Sequence, residues 1–98
     1  MAALDLLGRR WALRIIWELR DEAVGARDLQ RRCDGMSSSV LYQRLKELHD
    51  ARLLEKDSAG NYHLSEVGAD LGGALNPLIR WSSDWEAAQN NAAEPPPG

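Results

Sequence analysis

Leu41, Leu45 and Leu48 recur at helical spacing and form a narrow apolar stripe. At about 100° per residue, Ser39, Gln43, Lys46 and Asp50 fall nearly opposite that stripe, and Tyr42 and Glu47 lie towards its sides. The stretch from Gly35 to Leu54 therefore reads as an amphipathic helix with a polar outer face, followed at once by a strand. Ser37 or Ser38 can cap its first turn, because a serine hydroxyl satisfies one of the unpaired N–H groups there. Gly35 suits the end of a preceding helix, where a left-handed residue is needed.

Earlier in the chain, Leu4, Leu7, Trp11, Ile15 and Leu19 step by three and four. They predict a first helix over residues 4–20, in one piece or in two with Gly8 between them. Leu13, Ile16 and Trp17 widen its apolar face beyond what a single small domain needs. Two readings stand: a central buried helix, or a helix that also meets a second subunit. Val24 is a candidate for a very short strand. Residues 27–33 predict a short second helix with Leu29 facing inward. A short helix, a tight turn and a longer helix with a polar face follow one another, which is the order of a helix-turn-helix.

Residues 53–56 and 61–64 predict two short strands, with Gly60 between them supplying the positive φ that a hairpin needs. Ser65 can cap the next helix. Gly68, Gly72 and Gly73 weaken that helix and predict its end near Gly73 or Ala74. Asn76–Pro77 then signals a restart, with asparagine capping and proline at the first helical position. Leu75, Leu78, Trp81, Trp85 and Ala88 run down one side of this last helix. A stripe with two tryptophans needs a cover, either the first helix of the same chain or that of a partner. The segment 91–98 reads as a disordered tail. The expected fold class is mostly α with a small β-hairpin wing, in one domain over residues 1–90.

The segment 35–54 is similar to the recognition helix of HxlR-type winged helix-turn-helix regulators, relatives of the MarR and PadR families. The resemblance rests on Gly35, Ser37, Leu41, Arg44–Leu45, Leu48 and Leu53–Leu54, with Arg52 standing where that family has glycine. The run LDLLGRRWALRIIWEL over residues 4–19 resembles the family's first helix, including Leu6-Leu7-Gly8 and Trp11. The resemblance covers roughly residues 4–88. It implies an α-rich dimer whose first and last helices form the interface, through Leu4, Leu7, Trp11, Leu78, Trp81 and Trp85. It also implies double-stranded DNA as the partner and regulation of transcription as the activity. Such wings are usually longer and carry an arginine, whereas the tip here has Asp57, Ser58 and Asn61, which puts minor-groove reading in doubt.

Charge modifies this picture. The 98 residues carry a formal net charge of −3, which by itself argues against binding phosphate. The charge is unevenly spread. Residues 27–56 hold seven Lys or Arg against five Asp or Glu, a balance of +2 that leaves −5 elsewhere. Such asymmetry lets one face meet an anion while the rest stays acidic.

The chemistry of an enzyme is missing. His49 and His63 have no nucleophile at a meaningful spacing, and there is no Gly-rich phosphate loop. With Cys33 they fit no zinc-ligand spacing, so no metal or cofactor is expected. Cys33 is the one cysteine, which excludes an internal disulfide and fits a reducing compartment. No stretch matches a signal peptide or a membrane span, so the expected location is the cytoplasm.

The expected function is sequence-specific regulation of transcription by a homodimer on a pseudo-palindromic site. The first turns of a recognition helix go deepest into the major groove, which makes Ser38, Ser39, Tyr42 and Gln43 the expected base contacts. Arg31, Arg32, Arg44 and Lys46 are the expected phosphate contacts, although Arg44 lies towards the apolar flank and could instead pin the helix. The tryptophans could also line a pocket for a small, flat, apolar effector between subunits, against the simpler reading of core and interface packing. The alternative function is a winged helix that binds protein and not DNA, motivated by the acidic balance and the uncharged wing tip.

Overall fold

The computed structural model describes the backbone of residues 2–93 and the side chains of residues 5–91. Five helices and two strands run in the order α1 (Ala2–Leu7), α2 (Ala12–Glu18), α3 (Ala26–Arg32), α4 (Ser38–Asp50), β1 (Leu54–Lys56), β2 (Tyr62–Leu64) and α5 (Glu66–Ala93).

The expected first helix is two helices. They are separated by a turn over residues 8–11 that ends at Trp11, whose φ of 77° is left-handed. The break therefore falls where Gly8 suggested, but the unusual backbone is carried by a tryptophan. Ile15 and Ile16 of α2 are fully buried, with Ala12 and Leu19 beside them. Leu7, Trp11, Leu13 and Trp17 are half-buried around this centre. The side chain of Leu4 lies outside the described residues.

Leu29 of α3 and Leu41, Leu45 and Leu48 of α4 close on the same centre, each at most 1% exposed. The α4 stripe is thus the core face of that helix, at the predicted positions. Ser37 is its cap, accepting from the Val40 N–H at 3.3 Å. A second lock joins the two helices: the Gln30 side-chain amide donates to the Met36 carbonyl at 3.2 Å and to the Ser38 hydroxyl at 3.1 Å. Arg14 reaches across from α2 to the Arg32 carbonyl at 2.8 Å, satisfying the end of α3. Cys33 lies fully buried beside that contact, and burial raises its thiol pKa.

The wing is an antiparallel hairpin with Leu54 opposite Leu64 and Lys56 opposite Tyr62. Its turn is closed by Asp57, whose carboxylate accepts from the backbone N–H groups of Ala59 and Asn61 at 2.9 Å each. Gly60 supplies the positive φ, 87°. Val24 pairs with Tyr62 by two 2.9 Å backbone bonds, so the short strand expected there is a single bridge on the wing's outer edge.

The last helix departs from expectation. It neither stops near Gly73 nor restarts at Pro77, but runs through as 28 residues. Local propensity misled here because the glycines serve packing. A Cβ on Gly68 would lie 2.1 Å from the Leu53 carbonyl oxygen, and one on Gly72 would lie 3.2 Å from Leu64. Only a bare backbone lets the start of α5 settle against the wing. Pro77 deprives the Gly73 carbonyl of its partner, and that carbonyl belongs to an exposed residue, so water can take the bond. The same helix carries residues 91–93, which the sequence assigned to the tail. The rest of that tail lies outside the described residues.

Candidate nucleic-acid interface

The outer face of α4 is bare. Ser38, Ser39, Tyr42, Gln43 and Lys46 are all exposed, with Tyr42 at 56%. They owe this to the leucine stripe, which turns the opposite side of the helix into the core. Ser38 is nevertheless engaged by Gln30, and Ser39 lies 3.3 Å from the Ser37 hydroxyl. Tyr42 and Gln43 are the larger side chains on this face.

Arg44 does not join them. Its side chain is 14% exposed; its Nε donates to the Arg10 carbonyl at 2.9 Å, and an Nη1 donates to Glu47 at 2.9 Å. Of the two roles expected for Arg44, phosphate contact or a pin on the helix, these bonds favour the pin. The guanidinium ties α4 to the turn between α1 and α2, next to the left-handed Trp11. Gln43 donates to the same Glu47 oxygen at 3.3 Å.

The remaining expected phosphate contacts are exposed but paired. Arg31 pairs with Asp28, Arg32 with Glu22 at 2.8 Å, and Lys46 with Asp50 at 3.0 Å. The hydrogen bond that Arg32 donates to Glu22 raises the Arg32 pKa above its ordinary value. Exposed pairs of this kind are weak and screened, so a phosphate can displace the carboxylate.

Sequence reasoning missed a groove between α4 and the wing. Tyr42, Leu45, Lys46, His49, Lys56 and Tyr62 line about 320 Å³ of open space. Lys56 Nζ stands 5.4 Å from the centre of the Tyr62 ring, so the wing does bring a cation to this face, from the strand and not from the tip. The signal was present in two parts: Tyr42, Lys46 and His49 share a helix side by their spacing, and Lys56 precedes the turn. Only the hairpin register and its docking join the parts. Among the described residues no group of three or more His, Cys, Asp or Glu is placed to hold a metal ion, and no helix is long and apolar enough to cross a membrane.

The expected interface residues separate into two groups. Leu7 and Trp11 are half-buried against the core. Leu78, Trp81 and Trp85 are 45%, 60% and 50% exposed, so among the described residues nothing of the same chain covers this stripe of the last helix. The two tryptophan rings lie nearly parallel, 12° apart, with centroids 6.1 Å apart.

A short helix, a tight turn and a longer helix with a bare polar face, flanked by a hairpin, define a winged helix-turn-helix protein. The chain belongs to the HxlR-like helix-turn-helix family, whose model matches residues 6–90, and is thereby a transcriptional regulator. An uncharacterised HTH-type transcriptional regulator of Methanocaldococcus jannaschii is 24% identical over 93 residues, which covers 91% of this chain and 87% of that protein. The uncharacterised HTH-type regulator YvaP of Bacillus subtilis is 26% identical over 89 residues, covering 85% and 82%. Among solved structures, a possible HxlR family transcriptional factor from Thermoplasma volcanium superposes with a TM-score of 0.81 at 30% identity, over 89% of this chain and 84% of that one. Quinone-bound YodB from B. subtilis superposes with a TM-score of 0.77 at 29% identity, over 85% and 92%.

Proposed function

We propose that the protein binds double-stranded DNA as a homodimer, laying the outer face of α4 in the major groove of each half-site. The observation that carries this reading is the bare face of Tyr42 and Gln43 on a helix held from three sides. Its leucines are seated in the core, its start is locked by Gln30, and its flank is pinned by Arg44 to Arg10. A rigid helix with exposed polar groups reads base edges at low entropic cost. Ser38, Ser39, Tyr42 and Gln43 take the base-facing role. Arg31, Arg32 and Lys46 take the phosphates, joined by Lys56 from the wing. Arg44 leaves that set.

The homodimer reading rests on the uncovered stripe of Leu78, Trp81 and Trp85. Tryptophan is an interface anchor, and three large apolar side chains on one exposed helix side call for a cover. Leu7 and Trp11 offer the remaining apolar surface. Two-fold symmetry then sets half-sites roughly 34 Å apart, one turn of DNA. A quinone, the molecule bound to YodB, would meet no exposed thiol here, because Cys33, the one cysteine, is fully buried.

Fluorescence anisotropy of a duplex from the upstream region of the gene, titrated at several salt concentrations, tests the reading. The expected result is tight binding that weakens steeply with salt and resists a scrambled competitor. Replacing Arg31 and Arg32 together by alanine should reduce the slope of log affinity against log salt by about two, one for each phosphate that is no longer neutralised. An unchanged slope removes both from the interface. The carboxylate pairing of Arg31, Arg32 and Lys46 favours a second reading, a winged helix that docks on protein. Absence of binding at low salt would favour that one, and a partner docked on Trp81 and Trp85 would then be sought.

A further inference from the structure

Glu47 is the residue on α4 that DNA binding leaves unexplained. It is acidic, it sits on the helix proposed to enter a field of phosphates, and it is held in place. Its side chain is 21% exposed, and Oε1 accepts from Arg44 Nη1 at 2.9 Å and from Gln43 Nε2 at 3.3 Å. Arg44 is fixed in turn by its bond to the Arg10 carbonyl. The carboxylate therefore cannot swing away from Gln43 without breaking a chain of bonds that ends in the α1–α2 turn.

A carboxylate only accepts. It can hold the NH₂ end of the Gln43 amide and must repel the carbonyl end. The two ends of an exposed glutamine are otherwise free to exchange by rotation about its terminal bond. The consequence reaches the base. An amide whose NH₂ end is held, and whose carbonyl oxygen makes no bond among the described residues, presents an acceptor beside its remaining N–H. That pattern complements the N6 amino group and N7 of adenine. The reversed amide would present its N–H groups to the two acceptors of guanine, O6 and N7. The geometry points to Glu47 as a positioning residue that makes Gln43 select adenine over guanine, with Arg44 as the clamp that holds Glu47. This rests on the proposed base-reading role of Gln43 and names what sets its choice. It also accounts for a negative charge on the recognition helix: the negative field of Glu47 favours the amino group of adenine at this point and opposes the oxygen of guanine.

Selection from a pool of duplexes randomised over the half-site, with wild type and three variants, tests it. Wild type should prefer adenine over guanine at one position by roughly tenfold, within what one two-point side-chain contact provides. Gln43→Ala should bring that ratio close to one at the same position and leave the others unchanged. Glu47→Met should lower it to about threefold or less while the other positions keep their preferences; a purely structural role would weaken all positions alike. Because Glu47→Met strands the half-buried Arg44, the double change Arg44→Met with Glu47→Met is the companion, since removing both charges leaves neither unpaired; it gives up the bond to the Arg10 carbonyl, so its fold is checked by circular dichroism. It should lose the adenine preference in the same way. If Gln43→Ala abolishes the preference but neither Glu47 variant alters it, Glu47 does not orient Gln43, and the inference fails while the DNA-reading proposal stands. If wild type retains no duplex, or Gln43→Ala selects the same bases as wild type, the base-reading role of Gln43 fails and this inference falls with it.

Discussion

The hydroxyl of Ser65 donates to the carbonyl of Arg52 at 2.7 Å, tying the start of α5 to the exit of α4 across the wing. Each residue also shapes a helix end. Arg52 has a φ of 65° and ends α4 in a Schellman arrangement: its N–H bonds the His49 carbonyl at 2.9 Å, and the Leu53 N–H bonds the Leu48 carbonyl at 3.0 Å. Ser65 caps α5 by accepting from the Gly68 N–H at 3.0 Å. A left-handed backbone is costly for arginine and cheap for glycine. Arg52→Gly should therefore raise stability by about 0.5 kcal/mol, the relief of strain being partly offset by a freer unfolded chain. Ser65→Ala should lower it by about 1–2 kcal/mol through loss of the cap and the tie. Urea denaturation of both variants checks the pair, and an Arg52→Gly protein less stable than wild type would mean that the arginine side chain itself contributes.

Two glycines of α5 should respond oppositely to alanine. Gly68→Ala puts a methyl group 2.1 Å from the Leu53 carbonyl oxygen, so the helix must lift from the wing, at a cost of about 2 kcal/mol or more. Gly73 has open space around it, and Gly73→Ala should stabilise by about 0.5–1 kcal/mol through helix propensity. Thermal melts followed by circular dichroism distinguish them.

Trp81 and Trp85 should control assembly and not folding. Both project from the part of α5 beyond Leu75, the last of its core residues. Changing both to lysine should shift the protein from dimer to monomer in sedimentation velocity, with the body of the domain still folded. A variant pair that sediments like wild type would move the proposed interface elsewhere.

Cys33 makes stability depend on alkaline pH. Burial holds its thiol pKa above the ordinary value in the folded protein, whereas the unfolded thiol ionises near about pH 8.5. Above that pH the unfolded state loses its proton first, so stability is full below it and falls as pH rises. Cys33→Ala should flatten this fall. For the same reason iodoacetamide should label Cys33 slowly in the native protein and rapidly in urea; fast labelling without urea would show that the site opens.

Periodicity alone determined much of this molecule. Leu41, Leu45 and Leu48 had to share a face because a helix repeats every 3.6 residues, and Ser37, Ser65 and Gly60 sit where caps and turns demand their chemistry. The helix-turn-helix, the wing and the bare face of α4 follow from those local rules. What tertiary structure decided is what local rules cannot weigh. Gly68 and Pro77 carry breaking propensities, yet α5 runs through them, because contact with Leu53 requires the glycine and an exposed Gly73 tolerates the proline. Its place towards the apolar flank of α4 left Arg44 open to two roles, phosphate contact and helix pin. Its partner, the Arg10 carbonyl, lies 34 residues away in the chain, and no spacing rule reaches that far. Lys56 is close in the chain to His49 and was hidden for another reason: a strand residue joins a helix groove only when the hairpin has docked, and docking is a property of the whole core.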